Sequence, residues 1–299
     1  MRLAFFGLPV AALLLRADGQ EIAWAGVCRR GAPGTRRLSR EISVRRLHVI
    51  PNLASPDLVR EVEEAKPDLI VSWFWTKRLP DRVLRIAPSI GVHPSLLPRH
   101  RGPNPYFWAI DSGDDVTGVT AHALERDYDT GPVYDRREIH VDPAWNAWQL
   151  ARALDRPSLD LLRHVVRAFA ERRLPTAEPQ EEALATDAPE PSEEELAVRW
   201  TWPAERIERR VRAAAPWPGA WTEIGDRIIT LVRVSPSTDY PRALAPGEAA
   251  VRADGVSVVR AGSGALELWQ GRDEEDANLG PRELARIVGE ARGDRSTEP

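Results

Sequence analysis

Two residues of this 299-residue chain have types and settings that could do chemistry. His93 lies in SIGVHPSLLPRHRGPNP (89–105), one residue past a short apolar strand, with Pro94 directly after it and Pro98 closing the segment. Proline restricts its own backbone and that of the residue before it, so the loop would hold the ring with little entropy left to lose. Asp129 lies in RDYDTGP (126–132), a sharp turn in which Thr130 and Gly131 follow the carboxylate. Taken separately, each has a bland reading: a histidine tied to backbone and an aspartate that shapes a turn. Taken together they suggest an acid–base pair, because a carboxylate fixes an imidazole's tautomer and favours its cationic form.

The elements that must position them follow from the apolar pattern. Residues 2–6, 22–27 and 68–73 read as buried strands, and 10–15, 56–65 and 81–86 as helices between or after them. That alternation implies an α/β fold with a parallel, doubly wound sheet. A fourth strand ending near Val92 puts His93 at the carboxyl edge, where open α/β sheets bind ligands. Gly7-Leu8-Pro9 lacks the G-x-G-x-x-G pattern, so neither a dinucleotide site nor a Walker loop is expected. Residues 117–123 and 133–140 read as further strands, and 145–172 as a long helical region interrupted near Pro157.

Residues 174–198 hold four prolines and eight acidic residues with no arginine or lysine, which reads as a solvated connector. Beyond it a helix over 203–214 and short strands separated by Gly, Pro and Asp suggest a small β-barrel domain. The expected boundaries are 1–173 for the first domain, 174–198 for the connector and 199–299 for the second. Trp200, Trp202, Trp217 and Trp221 are expected to pack the second domain's core and its junction.

Composition sets the outer limits. At 42% hydrophobic and 29% charged the chain can bury a core, and a net charge of −4 neither suggests nor excludes a nucleic-acid partner. A single cysteine, Cys28, excludes an internal disulfide and a cysteine metal cluster, fits a reducing cytoplasm, and reads as a buried thiol. His48, His100, His140 and His164 show no metal-ligand spacing, and His122, on a strand, reads as a packing or surface residue. The N-terminal run MRLAFFGLPVAALLLRADG imitates a secretory signal, but Gly7-Leu8-Pro9 interrupts it, and no apolar run reaches the ~18–20 residues of a membrane span. A cytoplasmic protein is expected.

HPSLLPRHRG, followed 36 residues after His93 by the aspartate of DYDTGP, resembles the folate-dependent formyltransferase family. That family carries N-x-H-x-S-L-L-P and, the same distance on, L-D-T-G. TGVTAHAL (117–124) is similar too, and FGLP stands where the family has F-x-G-T-P. RWTWPAERIERRVRAAAPWPGAW (199–221) is similar to the start of the C-terminal domain in the family's methionyl-tRNA branch, so the resemblance spans nearly the whole chain.

The resemblance implies a Rossmann-like doubly wound formyltransferase domain followed by a small β-barrel (OB-like) domain. It implies 10-formyltetrahydrofolate as formyl donor, no metal, and an amine acceptor, with initiator tRNA as partner. His93 and Asp129 fall on the family's catalytic histidine and aspartate. The pterin would lie around Phe74, Trp75, Leu79 and Pro80 and around Tyr128, Thr130 and Gly131. The family's catalytic asparagine falls on Gly91, which offers a developing oxyanion only a backbone N–H. Losing one such donor typically costs ~10²–10³ in turnover. On this reading Gly91→Asn is expected to raise transfer, unless Asn104 or Ser95 already supplies a substitute donor.

Arg29, Arg30, Arg36, Arg37, Arg40, Arg45 and Arg46 lie in an eighteen-residue loop with only Glu41 against them. The methionyl-tRNA enzymes carry a basic loop at a similar place, and arginine suits phosphate through its bidentate fork. The plain alternative is an arginine-rich surface. Two other functions stay open: a hydrolase of the same donor, because the hydrolase domain of 10-formyltetrahydrofolate dehydrogenase is similar in HPSLLPRHRG and PGAWTE and lacks the polar residue at the position of Gly91, and a catalytically impaired folate- or RNA-binding homologue. A nucleotide-sugar N-formyltransferase shares HPSLLP, but the second domain counts against it.

Overall fold

The N-terminal apolar run forms strand β1 (Arg2–Gly7), with Leu3, Ala4, Phe5 and Phe6 wholly buried. A Cβ on Gly7 would stand 1.8 Å from the Trp73 carbonyl oxygen, so the chain can leave the sheet here only as glycine. Pro9 then starts helix α1 (Pro9–Ala17) at a position that needs no N–H donor. The run continues with β2 (Glu21–Val27), α2 (Thr35–Glu41), β3 (Leu47–Val49), α3 (Pro56–Glu64), β4 (Leu69–Trp73), α4 (Asp81–Leu84) and β5 (Ser89–His93). These strands pair in parallel in the order β3-β2-β1-β4-β5. Helix α5 (Pro105–Ser112) precedes β6 (Val116–His122) and β7 (Val133–His140), which extend the sheet antiparallel beyond β5.

The structure is a computed structural model describing residues 1–173 and 176–295. Two compact units emerge, and neither is continuous in sequence. The first comprises Met1–Pro105, Val116–His140 and Arg152–Pro189 and contains the seven-stranded sheet; the second comprises Tyr106–Asp115, Val141–Ala151 and the chain from Glu190 onward.

Three local expectations change. β3 has only three residues, too few for a pattern, so His93 sits on the fifth strand and is its last residue rather than one beyond it. Helix α6 (Ala147–Ala170) runs through Pro157 without a break. Burial of Leu154 before the proline and of Leu161, Leu162, Val165 and Val166 after it outweighs the lost helical bond. The connector expected over 174–198 is in part built into the first unit. Glu178 pairs through its backbone with Val133 (2.7 and 2.8 Å), the Arg101 N–H donates to Thr186 (2.8 Å), and the Ala188 N–H donates to Arg101 (2.6 Å). Main-chain pairing of this kind leaves no trace in side-chain composition.

The second unit places α7 (Glu193–Leu196) and α8 (Ala204–Ala214) before a six-stranded, curled antiparallel sheet. Its strands are β8 (Ala220–Ile224), β9 (Arg227–Ser237), β10 (Ala249–Val251), β11 (Ser257–Arg260), β12 (Ala265–Arg272) and β13 (Asn278–Leu279), and α9 (Pro281–Arg295) follows. The main path runs β10-β11-β12-β9-β8, with β13 added on β12. Asp111 of α5 is buried between Arg206 and Arg210 of α8, each holding both carboxylate oxygens at 2.6–3.0 Å. The Trp200 indole N–H donates to Thr222. Trp217, expected to pack in the second domain's core or its junction, is 65% exposed, with the Arg272 guanidinium 5.5 Å from its ring centre.

Candidate active site

His93 ends β5 with its side chain 6% exposed. The loop after it is held by more than its prolines. The Thr120 hydroxyl on β6 donates to the Ser95 carbonyl (2.7 Å) and accepts from the Leu97 N–H (3.1 Å). The Ser95 hydroxyl donates to the Arg99 carbonyl (2.6 Å), so that expected substitute donor is already engaged. The chain then turns back so that the His100 carbonyl lies 2.7 Å from His93 Nε2.

The turn 126–132 brings Asp129 to the same place. Its Oδ2 lies 3.3 Å from His93 Nδ1 and accepts the Gly102 N–H at 2.9 Å. Its Oδ1 lies 3.4 Å from Nε2 of His122, a ring only 2% exposed. His122, expected to be a packing or surface residue, is instead the third member of the cluster. Strand register is the reason. His122 on β6 pairs directly with Gly91 on β5, and alternation along β5 puts Gly91 and His93 on one face.

Both rings are caught between a carbonyl and one carboxylate. A carbonyl can only accept, so the 2.7 Å contact of His93 places a proton on Nε2 and leaves Nδ1 as the basic nitrogen facing Asp129. By the same argument the 2.8 Å contact of His122 Nδ1 with the Ala123 carbonyl leaves Nε2 facing Asp129. Burial pulls the His93 pKa below its ordinary value, against the opposing Asp129 charge and His100 carbonyl. Burial also pushes Asp129 upward, but the two imidazoles and the Gly102 N–H outweigh it and hold this carboxyl well below the usual range. The site can therefore do proton chemistry: a neutral buried base beside a firmly ionised carboxylate.

The segment read as a connector braces this geometry. The Gln180 side-chain amide donates to the carbonyls of Asp129 and Gly131, both at 2.7 Å. Its oxygen accepts from Arg101 Nε and Nη2 at 3.0 and 2.8 Å, and Arg101 also holds Glu182. Asp129 has φ +58°, a left-handed conformation that a non-glycine residue keeps only when its surroundings hold it. Gln180, Arg101 and Thr186, which accepts the His100 N–H at 2.8 Å through its hydroxyl, carry no signal in the sequence.

The expected folate segments meet as well. The Tyr128 hydroxyl donates to the Thr76 carbonyl (3.4 Å), and the Arg78 guanidinium lies 5.4 Å from the Tyr128 ring centre. Phe74 takes a left-handed φ of +55° and stacks edge-on to Trp73, while Trp75 lies edge-on to Phe6. The buried Trp75 Nε1 has no hydrogen-bond partner. Leu79 is a core residue, and Pro80 precedes α4. The Thr130 hydroxyl donates to Glu125 (3.3 Å), and Gly131 is held by Gln180.

The structure does not bring the seven arginines to this cluster. They lie between β2 and β3, with β1 and β4 separating β2 from β5 in the sheet. Much of that stretch is helix α2 and a 3-10 turn (Val44–Arg46) rather than loop. All seven are exposed. Glu41 engages Arg37 (2.9 Å) together with Arg16, and Glu21 engages Arg46 (3.4 Å). Arg29, Arg30, Arg36, Arg40 and Arg45 carry no acidic partner among the described residues.

Sequence comparison decides the family. Residues 37–166 match the family described as "Formyl transferase", and residues 191–288 match "Formyl transferase, C-terminal domain". A methionyl-tRNA formyltransferase of Mycobacterium sp. (strain KMS) is 36% identical over 273 residues, covering 86% of this chain and 88% of that protein. The chain belongs to the formyltransferase family. A methionyl-tRNA formyltransferase of Mycobacterium marinum is likewise 36% identical, over 296 residues that cover 90% of this chain and 91% of that protein.

Among solved structures of this fold, HypX of Aquifex aeolicus in complex with tetrahydrofolic acid superposes with a TM-score of 0.64 at 22% identity. The match covers 97% of this chain but 47% of HypX, so the chain spans about half of that protein. An N-formyltransferase of Helicobacter canadensis, in complex with folinic acid and dTDP-3-aminofucose, gives a TM-score of 0.65 at 11% identity, with 89% of this chain and 98% of that one covered.

Proposed function

We propose that this protein transfers the formyl group of 10-formyltetrahydrofolate to the amino group of methionyl-tRNA, with His93 and Asp129 as its acid–base pair. The observation that carries the reading is the buried His93–Asp129 contact of 3.3 Å at the edge of a formyltransferase sheet. Relatives named methionyl-tRNA formyltransferase that cover both matched regions support the choice of acceptor. No helix of the described residues is long and apolar enough to cross a membrane, and a translation enzyme of this kind would work in the cytoplasm. The domain limits 1–173, 174–198 and 199–299 are retained as functional divisions, although hydrogen bonds tie part of the middle segment to the first.

The residues present suit a bound folate. Phe74, Trp75 and Tyr128 offer flat surfaces beside the cluster, and Trp75 Nε1 is a buried donor that a heteroaromatic ring could use. Phe74, Trp75, Leu79 and Pro80 would form one wall and Tyr128, Thr130 and Gly131 the other. When bound, 10-formyltetrahydrofolate supplies the formyl group. His93 takes up at Nδ1 the proton lost by the attacking amine, and Asp129 stabilises the imidazolium that results. The Gly102 N–H and the Gln180 amide keep the carboxylate turn in place meanwhile. Arg29, Arg30, Arg36, Arg37, Arg40, Arg45 and Arg46 give the first unit a basic face for tRNA phosphate.

The test is formyl loss from 10-formyltetrahydrofolate, followed with and without charged initiator tRNA. Loss that depends on the tRNA, with formylmethionyl-tRNA as product, is expected. Equal loss in its absence would mean that water is the acceptor. Folate binding without turnover would mean a binding protein.

A further inference from the structure

Gly91 is the point at which this site departs from its family, and the structure shows what fills the gap. A Cβ on Gly91 would stand 2.5 Å from Leu124 Cδ2 and 3.3 Å from His122 Nε2. A side chain at 91 would therefore first displace the Leu124 methyl and would also press on the His122 ring. This counts against the expectation that Gly91→Asn simply restores a donor: the space beside position 91 is already shared by Leu124 and an imidazole. Gly91 has no left-handed φ that would demand glycine, so the requirement lies in the Leu124 methyl and the His122 ring packed across it.

The cluster is also one proton short. With both rings neutral, His93 Nδ1 and His122 Nε2 would each turn a lone pair towards the ionised Asp129, at 3.3 and 3.4 Å. A proton on one of the two nitrogens relieves this. We propose that His122 holds that proton at Nε2 against Asp129, as the site's second imidazole and a positioning residue for the carboxylate, and that the absence of a side chain at Gly91 leaves this ring and Leu124 in place.

The two rings then take different parts. His122 donates to Ala123 and Asp129 through its two nitrogens, which satisfies both acceptors. Asp129 Oδ2 stays fixed on the Gly102 N–H, and His93 Nδ1 remains bare as the base. The charged and titratable groups around these rings are Asp129, the two histidines themselves and His100, with the Arg101 guanidinium acting on Asp129, and a cation at 122 lowers the proton affinity of His93. The catalytic part of this inference rests on the transferase reading; the protonation part does not.

Two kinds of measurement test it. In the intact protein, imidazole 15N spectra near neutral pH, assigned with His122→Asn, should show His122 protonated on both nitrogens and His93 neutral with its proton on Nε2. A bare Nε2 on His122 overturns the proposal whether or not the protein is a transferase. In turnover, His122→Asn should lower kcat by about 10²-fold, the scale of one acid–base group. It should also move the acid limb of the kcat profile to higher pH, because His93 loses a neighbouring cation; a packing defect alone leaves that limb in place. Gly91→Asn alone should slow the enzyme by displacing His122, and Gly91→Asn with His122→Ala should recover to within tenfold of wild type. An unchanged pH profile in His122→Asn, or faster transfer by Gly91→Asn alone, overturns it. Absence of any transfer by the wild type would instead sink the transferase reading and leave the spectra to decide.

Discussion

Gln180 is the most direct test of whether the middle segment serves the site. Its amide makes two short donor bonds to the Asp129 and Gly131 carbonyls, and its oxygen takes two from Arg101. At about 1 kcal/mol net for each bond, Gln180→Met forfeits roughly 4 kcal/mol, reduced because Arg101 keeps Glu182. Gln180→Glu keeps the Arg101 contacts, now charge-assisted, but puts a carboxylate oxygen where the amide donated, against the Asp129 and Gly131 carbonyls, which can only accept. Both variants should therefore be less stable than wild type. Turnover should fall in both as well. On the proposed mechanism kcat needs the left-handed Asp129 turn, and both variants remove the donors that hold it. A misplacement on the order of 1 Å at a reacting group can cost about 10²-fold, so both should lose kcat to a similar extent. Urea midpoints and single-turnover formyl transfer on the same preparations read the two effects. A glutamate variant with wild-type kcat would refute the reasoning, since the donors to Asp129 and Gly131 would then be dispensable.

His93→Ala and Asp129→Ala should each lower kcat by about 10²–10⁴-fold, and the double variant should cost little more than the worse single one; additive losses in steady-state kinetics would show two independent groups. Acidification should destabilise the fold in two stages. The unfolded chain binds protons that buried His93 resists, so stability falls as pH drops below about 6.5, and Asp129 adds a second loss below about 4 as its depressed folded pKa is approached. Urea midpoints across that range should show both stages, the second diminished in Asp129→Asn. Replacing Arg29, Arg36 and Arg40 by alanine should weaken tRNA binding and flatten its salt dependence by ~0.9 per lost duplex contact without changing folate affinity. An identical slope would leave these arginines as surface decoration.

The sequence carried the fold where its elements are buried on both faces. β1, β2 and β4 read as apolar runs because parallel strands covered by helices have no polar side to show. β3, with three residues and none buried, had nothing to display. His93 and Asp129 were legible for another reason: proline, glycine and a short polar turn mark the places where backbone direction is forced. His122 was illegible because its importance depends on a partner in another strand. In TGVTAHAL it is one more inward residue, and only the register of β6 on β5 sets it opposite Gly91. Gly91 in turn reads as a missing donor until the ring across from it is seen. Gln180 is further out of reach, since its amide meets carbonyls 49 and 51 residues away and a carbonyl is the same in every residue. A cluster built from cross-strand pairing and main-chain acceptors thus leaves in its sequence only the members that also bend the chain. The members that face them must be found by asking, at each position where an expected group is absent, what the fold has put in its space.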